Sequence, residues 1–277
     1  MDMGEHLSWT GGGTLTLWFS AFLPSELMTS FTCPHLTGNL SLVQSSNKSP
    51  VANLGDSQLL SCYLSTDGQT NRIQQMSVTW EKKGLSGVVY RYQDGAADLK
   101  DQNAEFKGRT QLFTDSLMTG NASLLLMSVR SSDQGEYTCS ISSSDGGGSV
   151  SVNLRTGAFS APTFSVSDSV LTAVASRWFP EPTVTWSDRD GNVMNGSTSL
   201  TPNQNGIFRV ESSVQPVNIS NTYTCRIEND LKTVVSEATI TASGVSEKTF
   251  FINKASSRLS SSLLSFMTCF FCIYYLI

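Results

Sequence analysis

Histidine is almost absent from this chain: His6 and His35 are the only two in 277 residues. Both precede the segment that reads as the first folded domain, so no histidine base or histidine metal ligand is available in the body of the protein. Basic blocks are also missing. The net charge is −5 and no Lys/Arg cluster offers the positive face that nucleic-acid binding needs. Amphipathic helical periodicity is absent between the two ends. The six cysteines, Cys33, Cys62, Cys139, Cys225, Cys269 and Cys272, include one CxxC spacing, and that lies in an apolar tail where a membrane segment outweighs a redox or metal motif. Asp188-x-Asp190-x-Asn192 has its glycine in the wrong place for a calcium loop and reads as a turn. Gly146-Gly147-Gly148 lacks the following Lys-Ser/Thr of a phosphate cradle and reads as a flexible loop tip between strands. The many serines have no His-Asp partnership to activate them. These absences leave an enzyme without candidates for its roles, and leave no cofactor, metal, nucleic acid or small-molecule substrate to expect.

What is present is a series of short alternating runs punctuated by Gly, Asn, Asp, Ser and Pro, the pattern of an all-β sandwich. One series runs from Leu59 to Leu154 and another from Thr163 to Thr241, with a turn-like Thr156-Gly157-Ala158 between them. The fold class expected is therefore all-β, two tandem sandwiches. In the first series Cys62, Trp80 and Asp133-x-Gly135-x-Tyr137-x-Cys139 form an immunoglobulin signature. A Cys62–Cys139 bridge would join the two sheets, Trp80 would pack on it, and Tyr137 would bond to upstream backbone. Arg109 and Asp133 are spaced to close the base of a variable-type domain, and Val88 to Leu99 supplies its extra edge strands. The second series carries Trp186 and Tyr223-x-Cys225, a constant-type pattern. It has no cysteine near Ala173, so Cys225 is expected as a buried free thiol, with an intermolecular disulfide as the alternative.

Five sequons, at Asn39, Asn47, Asn121, Asn195 and Asn218, together with a long-range cysteine pair indicate a glycosylated secretory product. The expected organisation is a signal peptide over 1–32, a V-type domain over 40–156 and a C-type domain over 157–242. A stalk over 243–262 and a hydrophobic anchor segment over 263–277 follow. The last fifteen residues are short for a span and follow a Ser-rich stretch, so a single-pass helix and a glycolipid anchor both fit. Either places the protein on the extracellular face of the plasma membrane. The docking surface is expected on the sheet carrying Trp80 and Cys139. Its outward residues are read as Thr79, Glu81, Tyr90, Tyr92 and Thr138, plus the 142–148 loop with Asp145.

Several segments lie outside the generic immunoglobulin pattern: Phe106-Lys107-Gly108-Arg109-Thr110, Gly120-Asn121-Ala122-Ser123-Leu124, Thr156-Gly157-Ala158-Phe159-Ser160, Arg177-Trp178-Phe179-Pro180, Asn221 to Asp230, and Asn253-Lys254-Ala255-Ser256. Through these the chain resembles the B-seven family of T-cell co-stimulatory and co-inhibitory ligands, from about Val51 to Ser257. The resemblance implies a ligand for a protein receptor on T cells that lowers activation, proliferation and cytokine output. A homophilic adhesion or butyrophilin-like recognition protein built on the same domains is the competing reading.

Overall fold

The computed structural model describes residues 43–65, 75–144 and 146–254. The first sandwich is built from β1 (Val43–Gln44), β2 (Val51–Asn53), β3 (Gln58–Leu60), β4 (Tyr63–Leu64), β5 (Ser77–Lys82), β6 (Tyr90–Gln93), β7 (Ala96–Ala97), β8 (Thr110–Leu112), β9 (Leu124–Leu126), β10 (Gly135–Ser143) and β11 (Gly146–Phe159). The second contains β12 (Thr163–Ser167), β13 (Val170–Phe179), β14 (Thr183–Ser187), β15 (Val193–Met194), β16 (Gly196–Pro202), β17 (Phe208–Val214), β18 (Thr222–Glu228), β19 (Lys232–Thr241) and β20 (Gly244–Asn253). Among the described residues the helical content is one four-residue turn, Thr114–Leu117, and two short 3-10 turns.

Strands β7-β6-β5-β10-β11 form one layer of the first sandwich, and β3-β9-β8 form the facing layer. Alternation decides which side chains meet between them. Along β10, Tyr137, Cys139 and Ile141 are buried while Thr138 and Ser140 are not. Cys62 and Cys139 are bonded across the layers with a sequence separation of 77. Fully buried Trp80 stands beside Cys139 in register and donates its indole N–H to the Ala122 carbonyl at 3.0 Å. Without that acceptor the buried indole N–H would carry a desolvation penalty.

At the base, Arg109 grips Asp133 through two 2.8 Å hydrogen bonds, and the Asp133 side chain is fully buried. The same guanidinium donates to the carbonyls of Glu105, Met127 and Ser128, and Asp133 also accepts the Arg130 N–H. Every charge buried here is thus paired and hydrogen-bonded, the condition under which burial is tolerable. Tyr137 donates its hydroxyl to the Asp133 carbonyl at 2.6 Å, and burial pushes its phenol pKa up.

The second sandwich packs β12-β13-β17-β16 against β15-β14-β18-β19-β20. Its core is separate and centres on Trp178, Trp186, Leu171 and Ile227. Trp186 lies in register with Cys225 and donates to Ser212 Oγ. The Tyr223 hydroxyl accepts the Asn218 N–H. Cys225 is unpaired and buried, and burial pushes its thiol up to about 12. Ala173, also buried, lies in the same core.

Three sequence expectations change. Thr156-Gly157-Ala158 is not a turn: β11 runs unbroken from 146 to 159, pairing with β10 in the first sandwich and with β13 at Ala158 and Phe159. Neighbouring contacts hold this passage extended. The Phe159 N–H donates to Asn53 Oδ1, the Leu54 N–H to the Gly157 carbonyl, and the Arg177 guanidinium to the Leu54 carbonyl at 2.6 Å. Glycine is required because a Cβ at 157 would lie 2.3 Å from the Phe159 ring and 2.6 Å from the Phe179 carbonyl. Second, residues 244–253 of the expected stalk are strand, since β20 pairs with β19 along its whole length. Its side chains lack a clean period of two because most of them are exposed and none is buried. Third, Gly146-Gly147-Gly148 is not a loop tip but the first three residues of strand β11, paired with Ser143, Ser142 and Ile141. A Cβ at 147 would lie 2.5 Å from the Ile141 carbonyl. Residues 1–42 and 255–277, and with them the expected leader and anchor, lie outside the described residues. Among those described, no helix is long and apolar enough to cross a membrane.

Candidate receptor-binding face

The outer face of β6-β5-β10-β11 is assembled by register. One row across it is Arg91, Thr79, Ser140 and Ser149; the next holds Glu81, Thr138 and Ser151. Lys83 and Glu136 border it as an ion pair at 2.9 Å. Arg91 is partly buried and bonds to Asp101 at 3.3 Å, with Asp98 at 3.9 Å. Beside this face an open cleft of about 630 Å³ is lined by Glu81, Leu85, Gly87, Arg91, Lys100 and Asp101.

Thr79, Glu81 and Thr138 therefore share one surface, with Glu81 exposed. Tyr90 and Tyr92 do not join it. Register sets Tyr90 against Trp80 and Tyr92 against Val78, so both tyrosines share the parity of buried residues. Tyr90 is 7% exposed and Tyr92 packs on the core from its margin. Desolvation, with the neighbouring Tyr92 adding to it, raises the Tyr90 pKa. The reason is the period of two: residues 90 and 92 must point the same way, and Arg91 between them takes the outward place. A charged residue flanked by two aromatics in an alternating run is the signal for that assignment. Asp145 lies outside the described residues, whereas Ser142 and Gly148 flank it as exposed positions of the β10–β11 hairpin.

The face is consequently hydroxylic and charged rather than aromatic. It can offer hydrogen bonds and steering charge, but few large apolar anchors. Among the described residues no group of three or more His, Cys, Asp or Glu side chains could hold a metal ion. Asp188 instead organises a turn, accepting the Asp190 and Asn192 N–H groups.

The described sequon asparagines, Asn47, Asn121, Asn195 and Asn218, are all exposed, and Asn39 lies outside the described residues. None of the four is on the strands of the polar face. At Asn121 the Ser123 hydroxyl donates to Oδ1 at 2.7 Å, leaving the amide nitrogen without a bond to that hydroxyl.

Residues 45–155 match the immunoglobulin V-set domain, and residues 166–235 match the immunoglobulin C domain of the butyrophilin subfamily 3 member A2-like type. The chain is 38% identical over 206 residues to the V-set domain-containing T-cell activation inhibitor 1 of Rattus norvegicus, covering 71% of this chain and 72% of the relative. It is 35% identical over 225 residues to the Homo sapiens protein of the same name, covering 77% and 78%. A crystal structure of the human B7-H4 IgV-like domain matches 41% of this chain and 95% of its own at 32% identity, with a TM-score of 0.36. The chain belongs to the family of V-set domain-containing T-cell activation inhibitors, non-enzymatic members of the immunoglobulin superfamily.

Proposed function

We propose that the chain is a cell-surface ligand that binds a protein receptor on T cells and lowers their activation, proliferation and cytokine production. The observation that carries this reading is identity of 35–38% over about seven-tenths of the chain to proteins named for T-cell activation inhibition. The Arg91–Thr79–Ser140 and Glu81–Thr138–Ser151 rows are the docking surface, and Cys62–Cys139, Trp80, Arg109, Asp133 and Tyr137 are its rigid support. Trp186 and Tyr223 play the supporting part in the second sandwich. The ligand works from the extracellular face of the plasma membrane, held there either by residues 263–277 as a helix or, with that tail removed, by a glycolipid.

A polar face of this kind suits rapid, charge-steered encounter and modest single-site affinity, so many copies across a cell contact supply the strength. A combined Glu81→Lys, Arg91→Glu exchange tests the surface. It should abolish staining of activated T cells by the multimerised ectodomain with the fold retained, the melting midpoint being lowered by loss of the Arg91–Asp101 and Arg91–Asp98 pairs. Undiminished staining would move the docking surface elsewhere. The similarity of residues 166–235 to a butyrophilin-type domain keeps a second reading open, recognition or homophilic adhesion without inhibition. Clumping of cells that express the chain, with no T cells present, would favour it.

A further inference from the structure

Among the described residues the two most exposed large hydrophobic side chains are Val193, at 80%, and Ile219, at 68%. Each stands beside a sequon: Val193 comes two residues before Asn195, and Ile219 directly follows Asn218. The setting of Asn195 is the more informative. It links β15, the terminal strand of one layer of the second sandwich, to β16, the terminal strand of the other. One side of the sandwich is therefore bounded by two strands without an outer neighbour, and they meet at this residue.

Alternation places Val193 and Asn195 on the same side of the chain. Met194, between them, packs on the second core, and a Cβ at Gly196 would lie 2.5 Å from the Trp186 ring. Residues 194 and 196 thus face inward, while 193 and 195 face outward about 6.6 Å apart along the strand. Ser197, which completes the sequon, is exposed as well. An open edge that shows a bare β-branched apolar residue invites pairing with another chain, and natural sheets cover or blunt such edges. Strand β16 is blunted by Ser197, Thr198, Ser199 and Thr201, all exposed. Strand β15 has Val193 instead. An N-linked glycan at Asn195 would begin with N-acetylglucosamine, whose C–H faces and acetyl methyl suit contact with valine while its hydroxyls stay hydrated.

We propose that the Asn195 glycan is the cover of this edge: its first sugars pack on Val193 and close the open side of the second sandwich to a second copy of the chain. The inference rests on the reading of the sequence as a glycosylated secretory product. Attachment joins Asn195 Nδ2 to the anomeric carbon of a lipid-pyrophosphate-linked oligosaccharide. The glycosyl–phosphate bond breaks, the lipid pyrophosphate leaves, and the amide gives up one proton without any redox change. Neighbouring copies on one cell are thereby kept apart at the second sandwich, which leaves the polar face of the first free for a receptor.

The full chain displayed on mammalian cells tests this. Mass spectrometry of the glycopeptide reports occupancy of Asn195, and amine-reactive crosslinking at equal surface density reports self-association. Ser197→Ala removes the sequon and keeps Asn195. It should raise the crosslinked dimer about tenfold, the factor that withdrawing one valine side chain from water is worth. Val193→Ser in that background should return the dimer to the parent level. Asn47→Gln, at a sequon with no exposed large apolar residue beside it among the described residues, should leave the dimer unchanged. Enzymatic removal of the glycans from the folded chain repeats the comparison of parent with Val193→Ser without a folding step. An occupied Asn195 whose loss leaves the dimer unchanged overturns the inference and leaves the glycosylated reading intact. So does a rise that Val193→Ser fails to reverse, or one that Asn47→Gln matches. An unoccupied Asn195 on a chain glycosylated elsewhere overturns this inference alone, and a chain carrying no glycan overturns both.

Discussion

Replacing both Cys62 and Cys139 by alanine should cost the first sandwich far more than any equivalent change costs the second. The bond closes a loop of 77 residues of separation. The chain-entropy relation then assigns it about 4.5 kcal/mol at room temperature. Unfolding entropy for a domain of this size is about 0.23 kcal/mol/K, so the first sandwich should melt about 20 °C lower. The second sandwich carries its own internal control, because Cys225 has no disulfide partner among the described residues. Its core, built on Trp178 and Trp186, contains neither substituted residue. Calorimetry of the ectodomain should show two transitions in the parent, with the second sandwich the lower of the two. In the double variant the first should fall to or below it while the second stays in place. A shift under about 5 °C, or equal shifts in both transitions, would refute the assignment of separate cores with one staple. A parent second sandwich melting no lower than the first would refute the stability order.

Other consequences follow from single sites. Arg109→Met strands the buried Asp133 carboxylate and should destabilise the first sandwich by about 3–5 kcal/mol in denaturant titration; a loss below about 1 kcal/mol would contradict the buried pair. Cys225, with its thiol pushed up to about 12 by burial, should resist alkylation at pH 8 in the native state and label on unfolding. Rapid native labelling would show an open second core. Gly157→Ala forces contacts with the Phe159 ring and the Phe179 carbonyl, and should cost about 1–3 kcal/mol, read as a lowered denaturation midpoint. Glu228 is held at about 2 by hydrogen bonds from Arg226 and then Lys254. Its contribution is therefore present above the ordinary glutamate range and is lost as pH falls towards 2. Glu228→Gln should flatten the acid limb of the second sandwich's melting profile, and an unchanged limb would count against this network.

The all-β class and the tandem immunoglobulin sandwiches were legible because their strongest signals are local and periodic. Runs such as 137–141 alternate large apolar with small polar residues, and Asp133-x-Gly135-x-Tyr137-x-Cys139 is a fixed spacing on one strand and its preceding turn. The outward face was harder to read. Alternation shows that Tyr90 and Tyr92 point together, but only pairing with Val78 and Trp80 shows that they point inward. Arg91 gains its place on the surface from the same register. The junction at 156–158 carries residues that also suit a turn, and the contacts that extend it come from Asn53, Leu54 and Arg177, distant in sequence. Strand β20 escaped because edge exposure removes the apolar alternation by which strands are recognised.

The central claim is that this chain acts as an inhibitory ligand, and T-cell division tests it most directly. The purified ectodomain would be immobilised beside an antigen-receptor stimulus, with the Glu81→Lys, Arg91→Glu variant alongside. The account predicts fewer divisions on the parent ectodomain and restored division on the variant. Increased division on the parent would make the chain a co-stimulator, and unchanged division would leave an adhesion module; either contradicts the account.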